Sequence, residues 1–474
     1  MSHFVPPYPK PMTKRSWVFQ MLLRPWKFLQ WRTCSIRSLS NRAYDMHLGE
    51  IRLPLTTIVI PTQPDIVKRV LVDEAEKFPK SRMMADMLEM LLGDSIFVSN
   101  GDVWKRQRRM MNPAFEQARI KVVFDLMLDA ANALFERMDK LAGQPEAAID
   151  AEMTHVTADI IFRTIFSRSF EAEEAMLIYR AFNEFQEAAY AHGLARTAGL
   201  PNWVSYFQYR TSRRTAKEIR AVLDPIVKAR YDSFHAGEPQ THNDILQSLV
   251  SVKDEVTGTH FDLRELCEQV AMLFLAGHET SAASLSWTLY LISMDQDIQE
   301  RMFTEAEEVL GAREPQFSDI RKLKVSRNAF DETLRLYPPV AFMPRVAEHQ
   351  CTMRDKTVEA GTIVSISPWV IHRHRRYWAR PDEFDPDRFD DPATTEALSG
   401  APSPAARRSR MTGISHFGMR SEASVARRAS VSRERYSLPT WTKAAGFWPT
   451  ARPWSTSGRA RCWALSPCFE TSAR

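Results

Sequence analysis

Nowhere in the 474 residues does a run of uncharged apolar side chains reach the length of about 18 that a membrane-crossing helix needs. The nearest approach, Trp17 to Leu23, is short and flanked by Arg15 and Arg24, so neither a membrane span nor a signal peptide is expected. Cysteine is sparse as well. Cys34, Cys267, Cys351, Cys462 and Cys468 are scattered, and the first three show no paired metal-ligand spacing. That argues against a disulfide scaffold or a zinc site and fits a reducing cytoplasm. No internal repeat is present, which excludes a solenoid. Even the positive charge is missing from most of the chain: of the net +5, residues 399–474 carry +10, which leaves residues 1–398 at −5. Nucleic acid is therefore not an expected partner.

What is present divides into three regions. Residues 1–45 read as an N-terminal arm, with Pro6, Pro7, Pro9 and Pro11 followed by Trp17, Phe19, Leu22, Trp26 and Phe28 among arginines and lysines. Such an arm either packs on the domain or makes a weak peripheral contact with a membrane surface. Residues 46–395 form the main domain, in which Ile51 to Ile60 predicts a strand that Pro54 confines to an edge or a bulged start. Ile120, Phe124, Met127, Ala131, Phe135 and Met138 recur every three or four residues, the stripe of an amphipathic helix. Helical patterning continues to about Leu336. The stretch from Asp262 to Asp295 contains no proline and one glycine, and as a single helix it would be roughly 50 Å long. Beyond Pro338, Thr362, Ile363, Val364 and Ile366 mark short strands, so the expected class is mainly α with small β-sheets, an α+β arrangement. Residues 396–474 are an atypical tail: from Ser399 onward it holds 13 Ser and 12 Arg, with little hydrophobic periodicity.

Three constellations carry chemistry. Ala276-Gly277-His278-Glu279-Thr280-Ser281 sits in the middle of the long helical run. A threonine hydroxyl there can bond back to a carbonyl one turn earlier, and a glutamate puts charge into an apolar stretch. The result is a polar notch able to hold a water and relay protons, or simply a kinked helix with a partly exposed glutamate. Glu332 and Arg335, followed by Leu336-Tyr337-Pro338-Pro339, share a helix face and can pair bidentately before the prolines end the helix. Alone, such a pair also reads as a surface ion pair. In Gly101-Asp102-Val103-Trp104-Lys105-Arg106-Gln107-Arg108-Arg109, Trp104 and Arg108 are four apart and can face one anionic group. A solvated basic turn of helix is the alternative.

The order of these signals, with Pro344-Arg345 and then Trp378, Pro381-Asp382-Glu383-Phe384 and Pro386-Asp387-Arg388-Phe389 behind them, resembles the succession in the cytochrome P450 family, from about Ile51 to Phe389. The resemblance implies a cytochrome P450-like fold with haem b between the long helix and a proximal loop. It implies Glu279 and Thr280 as the proton-delivery and oxygen-activation pair, and Ala276 and Gly277 lining the haem's distal face. Trp104, Arg108 and Arg345 become haem-propionate partners, while Glu332, Arg335 and Arg388 become a buried structural network. A monooxygenase of this kind inserts one oxygen atom from O2 into a lipophilic small molecule, with electrons from a separate ferredoxin or flavoprotein reductase. Lys105 and Arg109 would offer an acidic electron-transfer partner a basic dock.

One part of the family pattern is missing. The motif F-x-x-G-x-R-x-C-x-G, whose cysteine ligates the iron, does not follow Arg388-Phe389. Phe417-Gly418-Met419-Arg420 has no cysteine after it, and Gly458-Arg459-Ala460-Arg461-Cys462 comes far too late. The metal ligand is therefore unknown, His416 being a remote alternative. A slip of reading frame between Asp390 and Ser409 accounts for the change of composition, and a diverged C-terminus competes with it. On the second view the chain is a catalytically inactive, haem-deficient relative acting at most as a binding or scaffold protein.

Overall fold

The computed structural model describes residues 4–9, 36, 39–52, 57–115, 123–141, 147–170, 172–197 and 201–390. The tail from 391 and the Trp17 to Phe28 series of the arm lie outside the described residues.

Along the chain the elements are β1 (Leu48–Arg52), β2 (Thr57–Pro61), α1 (Pro64–Lys68), α2 (Arg82–Leu92), α3 (Gly101–Met111), α4 (Phe124–Leu141), α5 (Ile149–Phe166), α6 (Ala172–Thr197), α7 (Tyr206–His235), α8 (Ile245–Ser251), α9 (Leu263–Met294), α10 (Gln296–Leu310) and α11 (Lys324–Leu336). There follow β3 (Met343–Val346), β4 (Cys351–Met353), β5 (Lys356–Val358), β6 (Ile363–Ile366) and the short α12 (Pro368–Ile371). The mainly α class with small sheets is what forms.

The expected single strand from Ile51 to Ile60 is instead a hairpin: β1 and β2 pair antiparallel with Leu48 opposite Pro61 and Arg52 opposite Thr57. Pro54 falls between the two strands, outside the described residues. A proline has no N–H to give a ladder, so an apolar run holding one is cut in two there. Strand β2 then pairs parallel with β6, and β6 antiparallel with β3, giving the order β1-β2-β6-β3.

Helix α9 is the single long helix read from Asp262 to Asp295. Asp262 caps it with a reciprocal box: its carboxylate accepts from the Glu265 N–H at 2.7 Å, and Glu265 accepts from the Asp262 N–H at 3.1 Å. Leu266, Val270, Ala271, Leu273, Phe274 and Leu285 are all buried. A helix apolar around most of its girth belongs inside a core, and α9 packs against α5, α7, α2 and α11. In α4 the predicted stripe holds from Phe124: Met127, Ala131 and Phe135 are buried and Met138 packs beside them, whereas Ile120 lies outside the described residues.

The boundary drawn at residue 45 does not separate an arm from the domain. Ile36, Leu39 and Tyr44 are buried in a core with Leu336, Tyr337, Trp369 and Phe384. Farther toward the N-terminus, the Phe384 N–H donates to the Phe4 carbonyl at 2.9 Å and the Tyr337 hydroxyl to the Pro7 carbonyl at 2.5 Å. The proline-rich start is packed on the domain because Tyr337, buried where α11 stops, needs an acceptor and a proline carbonyl supplies one.

Candidate functional site

The notch forms without breaking α9. Thr280 Oγ1 donates to the Ala276 carbonyl at 2.7 Å, the back-bond its position predicted. That bond uses the hydroxyl proton and leaves the oxygen's lone pairs to accept. Glu279, half-buried, takes a hydrogen bond from Gln186 Nε2 of α6, a partner that no sequence spacing announced. His278 is buried with Nδ1 3.1 Å from the Phe274 carbonyl, its ring against Phe182 and Phe274, and burial pulls its pKa down to about 4. Of the two small residues expected on the distal face, Ala276 stays half-buried. Gly277 instead faces α5, where a Cβ would come within 2.8 Å of Ile161 Cδ1. Its missing side chain is what lets α5 and α9 approach.

Glu332 and Arg335 are not a surface pair. They are 0% and 2% exposed, and their fork is bidentate at 2.7 and 2.8 Å. Arg335 also donates to the carbonyls of His372 and Pro381 at 2.8 and 2.7 Å and of Glu383 at 3.0 Å. Arg388 Nε and the Asp385 N–H both donate to Glu332 Oε1 at 2.9 Å. Trp378 lies under both guanidinium groups, 5.0 and 5.8 Å from its ring centre. Buried charge is tolerable only when paired and saturated with hydrogen bonds, and here the loop of residues 372–390 supplies the remaining partners. Asp385 and Trp378 complete a network that sequence reasoning had limited to three residues.

Of the three residues expected to bind a carboxylate, Trp104 and Arg345 meet at a residue the sequence reading missed. Gly101, at φ 58° in the region glycine tolerates, starts α3 and brings Trp104 up to Lys80. The Lys80 ammonium lies 5.6 Å from the Trp104 ring centre and donates to the carbonyls of Ile96 and Ser99 at 2.7 and 2.6 Å. Backbones of Lys80 and Arg345 meet in an antiparallel bridge. Burial, and then the neighbouring Arg345 charge, pull the Lys80 pKa down to about 7, and burial also lowers that of Arg345. Arg345 donates to the Pro344 carbonyl at 3.1 Å, and Arg108 is half-buried at the next turn of α3. Among the described residues none of Lys80, Arg345 or Arg108 has an ion-pair partner. Lys80 and Arg345, partly desolvated side by side and with no ion-pair partner among the described residues, form a donor set that a dicarboxylate such as haem's propionate edge would complete. No signal in Phe78-Pro79-Lys80 sets that lysine apart from any surface lysine, because its burial comes from the later loop.

The basic dock expected at Lys105 and Arg109 is not a free positive patch. Lys105 pairs with Glu76 at 2.6 Å, Arg106 with Glu265 at 2.6 Å and Arg109 with the buried Asp254 at 3.0 Å. Each cation is spent within the fold, on acids remote in sequence.

For the iron, the described residues offer no thiolate. Cys267 is buried on α9, where burial and the nearby Asp224 push its thiol up to about 12. Cys351 lies in β4, its thiol also raised by burial. Cys34, Cys462, Cys468 and His416 lie outside the described residues. Lys80 and Arg345 thus fit the carboxylate edge of haem, and among the described residues no cysteine is placed to ligate its iron.

Comparison with known proteins accords with this geometry. The family model described as Cytochrome P450 matches residues 36–404. Cyclooctatin synthase of Streptomyces melanosporofaciens is 29% identical over 82% of this chain and 82% of its own length. Cytochrome P450 72A13 of Arabidopsis thaliana is 31% identical over 72% of this chain and 66% of its own length, so this chain spans about two thirds of that relative. In fold, the crystal structure of the cytochrome P450DA heme domain superposes with a TM-score of 0.69 at 21% identity, covering 89% of this chain and 90% of that one. With the family match reaching over most of the described chain, this protein belongs to the cytochrome P450 family of haem-binding oxidoreductases.

Proposed function

We propose that the chain is built to insert one oxygen atom from O2 into a lipophilic small molecule, with electrons drawn from a separate ferredoxin or flavoprotein reductase in the cytoplasm. The observation that carries the reading is the pair Thr280 and Glu279 at the middle of the buried α9. Bound haem b would supply the activation of O2. Residue chemistry supplies the rest. The Thr280 hydroxyl, anchored on the Ala276 carbonyl, keeps lone pairs free to accept a hydrogen bond. Glu279 carries a carboxylate that takes up and gives back a proton one residue away. Lys80, Arg345, Arg108 and Trp104 would hold the carboxylate edge of the cofactor, and Glu332, Arg335 and Arg388 keep the loop of residues 372–390 in place. Scattered cysteines, with Cys267 and Cys351 free among the described residues, support a reducing compartment.

The absence of F-x-x-G-x-R-x-C-x-G from the 474 residues supports a second reading, a haem-deficient member acting as a binding or scaffold protein. The deciding experiment is to re-read the coding DNA from the Phe389 codon in all three frames. Restoration of the motif by one insertion or deletion would make residues 396–474 a frame-shifted tail and the restored protein an active-type enzyme. In that restored chain Thr280→Ala should uncouple reductant consumption from product formation, and unchanged coupling would remove Thr280 from its assigned role. If no frame contains the motif, the second reading replaces the first, and the purified chain should give no thiolate–CO difference spectrum after haem addition.

A further inference from the structure

Trp287 follows Thr280 on α9 by close to two full turns, so the two share a face of the helix about 10 Å apart along its axis. Trp287 is half-buried, and its ring stacks on that of Tyr337 with centres 4.0 Å apart and planes 7° from parallel. That is closer than the spacing of about 4.5–7 Å common for aromatic pairs, and overlap of this kind couples two π-systems electronically. Tyr337 is fully buried, and its hydroxyl donates to the Pro7 carbonyl at 2.5 Å. The next residue is Tyr8, half-buried at the surface, whose hydroxyl donates to Asp382 Oδ2 at 3.1 Å. Trp287, Tyr337 and Tyr8 are thus joined by a ring stack, a hydrogen bond and a peptide unit, from the middle of α9 to the outside.

Tryptophan and tyrosine are the side chains that give up an electron most readily, and they differ in the fate of the proton. An oxidised indole can keep its proton as a cation radical, whereas a phenol loses its proton as it is oxidised and needs a base in hydrogen-bond contact. The Tyr337 hydroxyl donates to an amide carbonyl, which is no base, so Tyr337 is a bridge and not a resting place. Tyr8 has a carboxylate to receive its proton. Arg373 closes the side branch through Trp369. Its guanidinium carbon lies 3.6 Å from the Trp369 ring centre, against 5.9 Å for Tyr337 and 5.5 Å for Tyr8. A positive charge so near opposes a cation on Trp369. At Tyr8 the departing proton leaves a neutral radical, which that charge does not oppose in the same way.

We propose that Trp287, Tyr337 and Tyr8 form a relay that discharges a one-electron oxidising equivalent, stranded on the Thr280 face of α9, to a reductant at the surface. The source of that equivalent rests on the oxygen-activation reading of the same face. An oxidant there takes one electron from Trp287 and is reduced. Trp287 takes one back from Tyr8 through Tyr337, while the Tyr8 proton passes to Asp382. A thiol or an ascorbate-class reductant in solution then returns one hydrogen atom to the Tyr8 oxygen, and Asp382 sheds its proton to water. The test needs no cofactor. In the full chain, with the five native cysteines replaced by alanine, a ruthenium tris-bipyridyl sensitiser is attached at Met294→Cys, a position 42% exposed and about 10 Å beyond Trp287 on α9. Flash-quench oxidation of the label, followed by transient absorption and electron paramagnetic resonance, should show a tryptophanyl radical giving way to a tyrosyl one that ascorbate removes. Tyr8→Phe should abolish the tyrosyl signal and leave the tryptophanyl radical to persist. Trp287→Phe should remove the tryptophanyl signal and most of the tyrosyl one, and Asp382→Asn should slow the tyrosyl step. Tyr8 and Asp382 are half-buried and their replacements keep the side-chain volume, and an unchanged thermal melt shows that each variant folds. A tyrosyl yield that survives Tyr8→Phe would overturn the relay. So would one that Tyr290→Phe removes instead, since that ring lies 5.8 Å from Trp287 and is the competing neighbour. Conduction in this cofactor-free chain stands even where Thr280→Ala leaves coupling unchanged in the frame-restored one, so the two readings fail separately.

Discussion

Lys80 is half-buried, its ammonium held by two backbone carbonyls with Arg345 alongside, and that placement has a measurable signature in the cofactor-free chain. Its pKa falls from 10.5 to about 7 on folding, so between these values the unfolded chain binds the extra proton. Linkage then makes stability rise with pH from about 7 to 10.5 and level off above that. Thermal melts across this window should show that rise, and Lys80→Met should flatten it; a profile the same in both would place the ammonium in solvent. A carboxylate ligand at the cluster should oppose the shift, because a negative charge favours the charged lysine. Glu332 is the other residue on which much depends. Glu332→Ala leaves two buried guanidinium groups and the Asp385 N–H without their acceptor, which should cost about 3–5 kcal/mol. Denaturant titration measures it, and a loss under about 1 kcal/mol would mean that the network relaxes into water.

At the scale of elements, α9 is held to α5 by an absence. Alanine at position 277 would gain about 1 kcal/mol of helix propensity, yet its Cβ would stand 2.8 and 2.9 Å from Ile161 Cδ1 and Cγ1. Overpacking of this kind costs typically about 1–3 kcal/mol, so Gly277→Ala should be destabilising on its own. Combined with Ile161→Ala it should cost less than the two changes summed. A double-mutant cycle in urea decides, with strict additivity counting against the contact. The glycine was visible in the sequence, but the face it presents was not: the notch motif located it at the centre of a long helix, while the neighbour that needs the space lies more than a hundred residues earlier. The same limit applies to Glu332 and Arg335. Their spacing announced a pair, and only the loop of residues 372–390 decided that the pair is buried.

For the whole molecule, acid sensitivity follows from two buried histidines. His278 and His372 are held neutral, with pKa values down to about 4 and 3, the first by burial and the second by burial and then by Arg335 and Arg373. The unfolded chain protonates its histidines near pH 6.5, so stability should fall as pH drops from about 6.5 toward 4 for His278 and toward 3 for His372. Carboxylates such as Asp254 and Asp319, whose arginine partners lower their pKa values, add their loss only below about pH 4. On a pH titration of the denaturation midpoint the histidine stage stands alone above about pH 4, and the carboxylates join it below. His278→Leu should shrink the first and leave the second; an unchanged first stage would assign it elsewhere.

The sequence by itself determined the long central helix, the amphipathic stripe of α4, the succession of motifs that marks the family and the lack of the cysteine motif. These are local or ordered properties, written in periodicity, capping and spacing. Tertiary structure alone decided which charges are spent and which are kept. It paired Lys105, Arg106 and Arg109 with distant acids, half-buried Lys80 beside Arg345 with no ion-pair partner among the described residues, set Gln186 against Glu279 and turned the Trp203 to Phe207 tip outward. Each outcome depends on what a side chain meets across the fold. Desolvation and ion pairing act through space, and single-sequence spacing records only distance along the chain.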